Sequence, residues 1–300
     1  MTRSGFCALV GRPNVGKSTL VNQIVGSKVT ITSSTPHTTR GLVRGILTEG
    51  DTQVVFVDTP GLHRPASRLG HRLNEAARAG TDGVDVICVV VDASAEIGAG
   101  DRTVLTLGLE HARPDGPRLV VVVNKMDRPG AERVALQLLE VQRVVERLAE
   151  ERGRQSILGT IEYFPVSART GRGVAELVRF VSSLMPEGPW FFPEDEVSDV
   201  PEAVWVAELV REQLVRKTRQ EIPHSIHCRV SEFEWPHITV DVVVERESQK
   251  GMVIGKGGRL LKEVGIAARR QLPEGCYLEL RVVVEEDWQR RDDAMDRFGL

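Results

Sequence analysis

The stretch GRPNVGKST, residues 11–19, has the spacing of a loop that wraps phosphates. It follows the apolar run CALV (7–10) and opens a helical pattern, which is the strand–loop–helix context this chemistry requires. Gly11 and Gly16 let main-chain N–H groups approach phosphate oxygens, and Arg12, Pro13, Asn14 and Val15 complete the loop. Lys17 supplies a point charge to the β- and γ-phosphates and is a candidate catalytic residue. The Ser18 hydroxyl is a candidate Mg2+ ligand. With Thr19 it begins a helix whose N-terminus adds positive potential.

A second group lies in FVDTPGLHRP, residues 56–65. Asp58 ends an apolar strand, where its carboxylate would hold Mg2+ through water. Thr59 and Pro60 lead to Gly61, whose N–H can sense a γ-phosphate and so take part in catalysis. In many GTPases with such a turn the next residue is a Gln that orients the attacking water. Here it is Leu62, which can neither donate nor accept a hydrogen bond. The polar stretch ITSSTPHTTRG (31–41) sits where a switch loop would complete the Mg2+ shell. Thr38 and Thr39 are its candidates, with Thr39 favoured as metal ligand and catalytic residue.

Two more motifs concern the base. NKMD, residues 124–127, closes a buried strand. The Asp127 carboxylate can accept from the N1–H and the exocyclic amine of guanine, a donor pair that adenine lacks. Asn124 and Lys125 would brace the base and the loop, with Met126 between them and Asp127. Ser167 and Ala168 end the last strand, where a main-chain N–H could reach guanine O6. All these positions fall at carboxyl ends of strands, where open α/β sheets bind ligands. Together and in this order they indicate GTP or GDP with Mg2+.

The elements that must position them follow from periodicity. Continuous β-branched runs at 7–10, 54–57, 86–91, 119–123 and 163–168 read as strands buried on both faces. They alternate with helical patterns at 17–25, 68–80, 101–112, 131–151 and 173–185. The expectation is an α/β doubly wound, mainly parallel P-loop GTPase domain over 1–185, with one antiparallel strand from a hairpin before TQVVFV. Residues 186–201, PEGPWFFPEDEVSDVP, read as a linker whose aromatics dock on a surface. Residues 202–300 read as a smaller α+β domain. It has a helix at 202–220, strands near 225–233 and 238–246, a Gly-rich turn, a helix to about 271, a strand at 277–284 and a last helix.

That second half carries its own motif. VIGKGG contains Gly255, Lys256, Gly257 and Gly258, a turn that can approach a phosphodiester backbone closely. Lys250, Lys256, Arg259 and Lys262 form a local basic patch, and Ile254 lies where a base-holding groove would run. The patch is local because the chain's net charge is −3, which gives no global pull toward nucleic acid. Aromatics are not interleaved here, so strong base stacking is not expected. Four scattered cysteines without a C-x-x-C pair read as buried thiols. His224, His227, Cys228 and His237 have irregular spacing for zinc, and satisfied or surface histidines are the plainer reading. The basic side of helix 202–220 (Arg211, Arg216, Lys217, Arg219) could touch RNA or anionic lipid, but a solvated face is expected.

GRPNVGKSTLVNQIVG, TPHTTR, DTPGLHRP, NKMD and SA resemble the GTPase domain of the Era family, within the larger group that includes TrmE and EngA. ESQKGMVIGKGGRLLKEVGIAARRQL (247–272) is similar to that family's C-terminal type II KH domain, so the likeness covers nearly the whole chain. The resemblance implies a GTP-hydrolysing protein that binds small-subunit ribosomal RNA near its 3′ end and acts in small ribosomal subunit assembly. It also accounts for Leu62, because the family carries a hydrophobic residue there. In some relatives the P-loop Asn, here Asn14, helps to hold K+ in place of an arginine finger. A monomer in the cytoplasm is expected, with weak peripheral association at the inner face of the membrane as a further family property. The sequence carries no strong amphipathic or lipidation signal for that association. A constitutive RNA-binding chaperone that uses the GTPase domain only as a scaffold is the competing class. A TrmE-like tRNA-modification enzyme is disfavoured by the lack of a redox motif or C-terminal Cys signature.

Overall fold

The computed structural model spans residues 1–300. It describes all of them except Ser34, Pro36, His37, Arg219, Gln220, Glu221 and the side chain of His224. Parts of the 31–41 stretch, Arg219 and the His224 side chain therefore lie outside the described residues. The chain divides into two compact units.

The first unit comprises Met1–Thr30, Thr39–Pro65 and Leu73–Asp199. Its strands are β1 (Arg3–Gly11), β2 (Val43–Glu49), β3 (Thr52–Asp58), β4 (Val86–Asp92), β5 (Arg118–Asn124) and β6 (Glu162–Pro165). Its helices are α1 (Lys17–Val25), α3 (Ala99–His111), α4 (Ala131–Glu151) and α5 (Val174–Ser183), together with most of α2 (Arg68–Ala79). Among the described residues the sheet order is β2-β3-β1-β4-β5-β6, with every pair parallel except β2–β3. Alternation explains the continuous apolar runs. In β4, Ile87, Val89 and Val91 enter one core with α3 and α4, while Val86, Cys88 and Val90 enter another with α1 and α5. A strand buried on both faces has no polar side to alternate.

The segment after α5 is held to this unit chiefly by its main chain. The buried Gln53 carboxamide accepts from the N–H groups of Phe191 and Phe192 (2.9 and 3.0 Å) and donates to the Phe192 carbonyl (2.9 Å). Phe6 and Phe191 are in ring contact, and Ile46 N–H donates to the Val197 carbonyl (2.9 Å). The segment docks as its aromatics suggested, although Phe191 stays half exposed.

The second unit comprises Ile31–Thr38, Ala66–Arg72 and Val200–Leu300. It contains α6 (Glu202–Lys217), α7 (Ile222–Ser225), β7 (His227–Glu234), β8 (His237–Val244), α8 (Glu247–Ile254), α9 (Arg259–Arg269), β9 (Tyr277–Val284) and α10 (Asp292–Arg297). Its sheet runs β7-β8-β9, antiparallel then parallel. Val206, Val210 and Leu214 of α6, Val253 of α8, Val264 and Ala268 of α9 and alternate residues of β8 share one core. The expected helix 202–220 is described only to Lys217. Thr218 turns extended (φ −98°, ψ 162°) and its hydroxyl donates to the Leu214 carbonyl, ending the helix. The sequence reading missed α7 and the short 3-10 turn that buries Trp288, whose indole N–H donates to the Ser225 carbonyl (3.1 Å).

Candidate nucleotide site and nucleic-acid interface

The loop between β1 and α1 is tied down from three directions. Lys17 is buried, and its ammonium donates to the Gly11 and Arg12 carbonyls (both 3.1 Å). Burial lowers its pKa to about 8, against an opposing pull from Asp58. Arg12 pairs with the buried Asp101 of α3 (2.7 Å). Asn14 adopts a left-handed conformation (φ 62°), and its carbonyl accepts from Lys125 (2.5 Å). Lys125 in turn pairs with Asp92 at the end of β4 (2.6 Å). Burial raises the Asp92 carboxyl, but the bonds from Lys125 and Ser94 outweigh it and leave the group below its ordinary value.

Three oxygen-bearing side chains converge beside Lys17. Ser18 Oγ lies 2.9 Å from Thr39 Oγ1, and Thr39 Oγ1 donates to Asp58 Oδ2 at 3.3 Å. Thr30, which the sequence reading missed, donates to the same carboxylate oxygen at 3.0 Å. Thr38 is not part of this group. Its hydroxyl bonds Ser33 Oγ and the Thr35 carbonyl. Asp58 is fully buried, its carboxyl is raised by that burial, and its Oδ1 has no partner among the described residues. A buried carboxylate oxygen without a partner, beside two hydroxyls, is a donor set that fits a hard divalent cation.

The base-side residues are joined in one network. The Asn124 carboxamide, almost fully buried, donates to the Val15 carbonyl (2.8 Å) and accepts from the Ala168 N–H (2.9 Å). Ser167 Oγ donates to Asp127 Oδ1 (2.7 Å), and this bond is the chief reason the Asp127 carboxyl lies below its ordinary value. Both N–H groups expected near guanine O6 have partners within the protein. Ser167 N–H donates to the Arg172 carbonyl (2.8 Å), and Ala168 N–H serves Asn124. Nearby, Thr19, Lys28, Ala168 and Arg169 are among the residues lining a cavity of about 420 Å³. Lys28 and Arg169 carried no motif to reveal them.

Not every flagged side chain faces this site. Thr59 is buried, and its hydroxyl donates to the Leu9 carbonyl (2.7 Å). Val15 and Leu62 lie in the two cores. Any hold that these residues have on a ligand is through the main chain.

In the second unit α8 ends at Ile254, and Gly255, Gly257 and Gly258 all take positive φ (72°, 60° and 76°), conformations costly for other residues. A Cβ added at Gly257 or Gly258 would meet nothing within 4 Å, so the turn is open to close approach. Lys256, Arg259 and Lys262 are exposed around it, and Arg259 bonds Glu263 (3.0 Å). Lys250 and Ile254 are half buried. Exposed Arg269, at the far end of α9, was not foreseen.

The basic side of α6 is solvated at Arg216 and Lys217 but not at Arg211. Arg211 is buried, paired with Glu208 (2.6 Å) and donating to the Thr38 carbonyl. The buried Glu212 accepts from the Thr32 N–H (3.0 Å), and Arg216 donates to the Thr32 carbonyl (3.1 Å). A helix-face count cannot anticipate this, because the Thr32 and Thr38 partners come from a distant stretch of the same unit. His227 and Cys228 are buried on β7, and among the described residues no three His, Cys, Asp or Glu side chains are gathered as metal ligands.

Comparison with known proteins finds a family model for each half of the chain. Residues 6–125 match the family described as 50S ribosome-binding GTPase, and residues 221–289 match the KH domain family. The chain is 44% identical to GTPase Era of Mycobacterium tuberculosis over 99% of its own length and 98% of that protein. It is 40% identical to GTPase Era of Carboxydothermus hydrogenoformans at the same coverage. A crystal structure of Era in complex with MgGDPNP and nucleotides 1506–1542 of 16S ribosomal RNA superposes with a TM-score of 0.87. It is 34% identical and covers 100% of this chain and 99% of that one. A variant of Aquifex aeolicus Era bound to GDP and aluminium fluoride gives 0.86 and 34%, covering 99% of each chain.

Proposed function

The chain belongs to the GTPase Era family, and from that membership we propose that it is a GTP-hydrolysing switch that binds 16S ribosomal RNA near its 3′ end and acts in small-subunit assembly. The observation that most supports this is the co-occurrence of two sites in one chain that is similar, end to end, to a protein holding both a GTP analogue and that RNA. In this reading Gly11 to Thr19 wrap the phosphates, Ser18, Thr39 and Asp58 hold Mg2+, and Asp127 selects guanine. Mg2+ supplies positive charge to the phosphate oxygens where charge develops during transfer. Lys250, Lys256, Arg259 and Lys262 neutralise RNA phosphates around the glycine turn.

The switch reading is supported by the company that 31–38 and 66–72 keep. Both belong to the unit that contains α8 and α9, while Thr39 and Gly61, their near neighbours in sequence, lie with the nucleotide residues. A ligand shifts such an equilibrium only through different affinity for its states. RNA affinity is therefore expected to differ between the GTP-analogue, GDP and nucleotide-free forms, measured by filter binding to a 16S 3′-end oligonucleotide. Equal affinity in all three would leave a constitutive RNA binder on a GTPase scaffold.

A finer part of the proposal concerns the residue missing at Leu62. K+, with the left-handed Asn14 among its ligands, would add positive charge at the phosphates. The protein is proposed to act as a cytoplasmic monomer, with any membrane contact peripheral. Among the described residues no helix is long and apolar enough to cross a membrane.

A further inference from the structure

The turn that carries Gly61 is pinned on both sides, and one side is built from His63 and Asn74, side chains to which the motif chemistry assigns no role. Toward the phosphate loop there is no slack. A Cβ at Gly61 would stand 2.6 Å from Pro13 N and 2.7 Å from Pro13 Cα, so the turn packs directly on that loop. The Leu62 N–H donates to the Gly11 carbonyl (3.0 Å), and the Leu62 side chain is sunk in the core.

The other side is held by His63 and Asn74. The His63 ring Nδ1 lies 3.1 Å from the Gly61 carbonyl. A carbonyl oxygen only accepts, so Nδ1 carries the hydrogen in this contact. The Gly61–Leu62 peptide is thus fixed at both poles, its C=O by His63 and its N–H by Gly11. The Gly61 N–H belongs to the preceding peptide, so with this plane fixed it can move only by rotation about the bonds of Gly61 Cα, and Gly61 packs directly against Pro13.

His63 itself is bracketed by one side chain. Asn74 Oδ1 accepts from the His63 N–H (3.3 Å), and Asn74 Nδ2 donates to the His63 carbonyl (2.7 Å). A carboxamide is suited to this because it offers both a donor and an acceptor. Asn74 is carried by α2, which is anchored beside it by buried Leu73 and Ala77. The chain of contacts therefore runs from a packed helix through Asn74 and His63 to the Gly61 carbonyl.

We propose that Asn74 and His63 are positioning residues that hold the Gly61 amide ready for the γ-phosphate of GTP. This rests on the reading of Gly61 as the γ-phosphate sensor. The device acts where a third phosphate would be met, so it favours triphosphate over diphosphate and leaves GDP binding alone. It also supplies part of what the apolar Leu62 cannot, since the order of the turn comes from the residue after it.

The test uses the full-length protein, with fluorescent GDP and a non-hydrolysable GTP analogue as probes and steady-state GTP hydrolysis alongside. For Asn74→Ala, affinity for the analogue and kcat are each expected to fall about tenfold, with GDP affinity within about twofold of wild type. His63→Ala, which removes a half-buried ring, is expected to show the same pattern more weakly. Unchanged GDP affinity also reports that the fold is intact. Wild-type analogue affinity and kcat in both variants would overturn the proposal, as would equal losses for GDP and the analogue. Gly61→Ala, read against its own GDP affinity because the added Cβ would press on Pro13, separates it from the reading beneath. If Gly61→Ala abolishes the preference for the analogue and Asn74→Ala does not, the positioning role fails while the sensor stands. If Gly61→Ala leaves the preference intact, the sensor reading itself fails.

Discussion

Replacing Asn124 by Ala tests whether the base-side network is the joint that its geometry indicates. The carboxamide is 1% exposed and satisfies two buried main-chain groups, the Val15 carbonyl and the Ala168 N–H. Removing it strands both. A buried group left without its partner costs about 1–3 kcal/mol. Ala168 is among the residues lining the cavity with Thr19, so its cost is taken at the low end. Val15 is 2% exposed and has no such relief. The sum is about 2–4 kcal/mol. If the loops stay ordered, the loss appears as lower stability of the nucleotide-free protein. If they loosen, it appears as weaker GDP binding, about 30- to 1000-fold if all of it falls there. Denaturant unfolding without GDP, together with direct GDP titration, measures the two parts, and their sum is the quantity predicted. Asn124→Asp keeps the acceptor for Ala168 but sets a carboxylate oxygen against the Val15 carbonyl, so it should be no better than Ala. An Ala variant with an unchanged midpoint and an unchanged Kd, or an Asp variant equal to wild type, would refute the reasoning.

Other outcomes follow from other parts of the two sites. The Asp92 carboxyl lies below its ordinary value of 3.8, so its stabilising contribution is present above that pH and is lost as pH falls through the lower folded value. Asp92→Asn should therefore be less stable than wild type near about pH 7, with a narrower gap near about pH 3, below the ordinary carboxylate value. Denaturation midpoints at the two pH values decide it, and a constant gap would count against the Lys125 pairing. Hydrolysis should run faster in K+ than in Na+, and Asn14→Ala should remove the difference; equal wild-type rates in the two salts would eliminate K+ from the scheme. Lys256→Ala should weaken RNA binding to a similar degree for different sequences and lower the salt slope of the binding constant by about 0.7–0.9, measured between low and moderate salt. An unchanged slope would remove Lys256 from the RNA contact.

The parts of this protein that could be read in advance are those where chemistry is local in the chain. The phosphate loop, the Asp58 turn and the glycine turn after α8 each need a few residue types at fixed short spacings, because one turn of backbone must meet one anionic group. The buried strands were equally legible, since Val and Ile in unbroken runs leave no polar face to expose. Element ends were less so. Strand β6 was read as 163–168 but stops at Pro165, and Ser167 and Ala168 belong to the turn that follows. Arg211 was misread for a related reason. Charge on a helix is normally solvated, and nothing within α6 signals that the Thr38 carbonyl would meet Arg211.

What the sequence alone determined is the ligand chemistry: a guanine nucleotide with its cation at one site, and a phosphodiester backbone at the other. Those depend on residue type and on spacings of a few positions, which covalent geometry makes nearly invariant. Only the tertiary structure decided which atoms brace those residues. It brought Thr39 rather than Thr38 to Ser18 and Asp58, paired Lys125 with Asp92, and set Asn74 and His63 behind Gly61. Such partners carry no pattern because a hydrogen bond requires only that two groups meet in space, and that meeting is fixed by the packing of elements far apart in the chain.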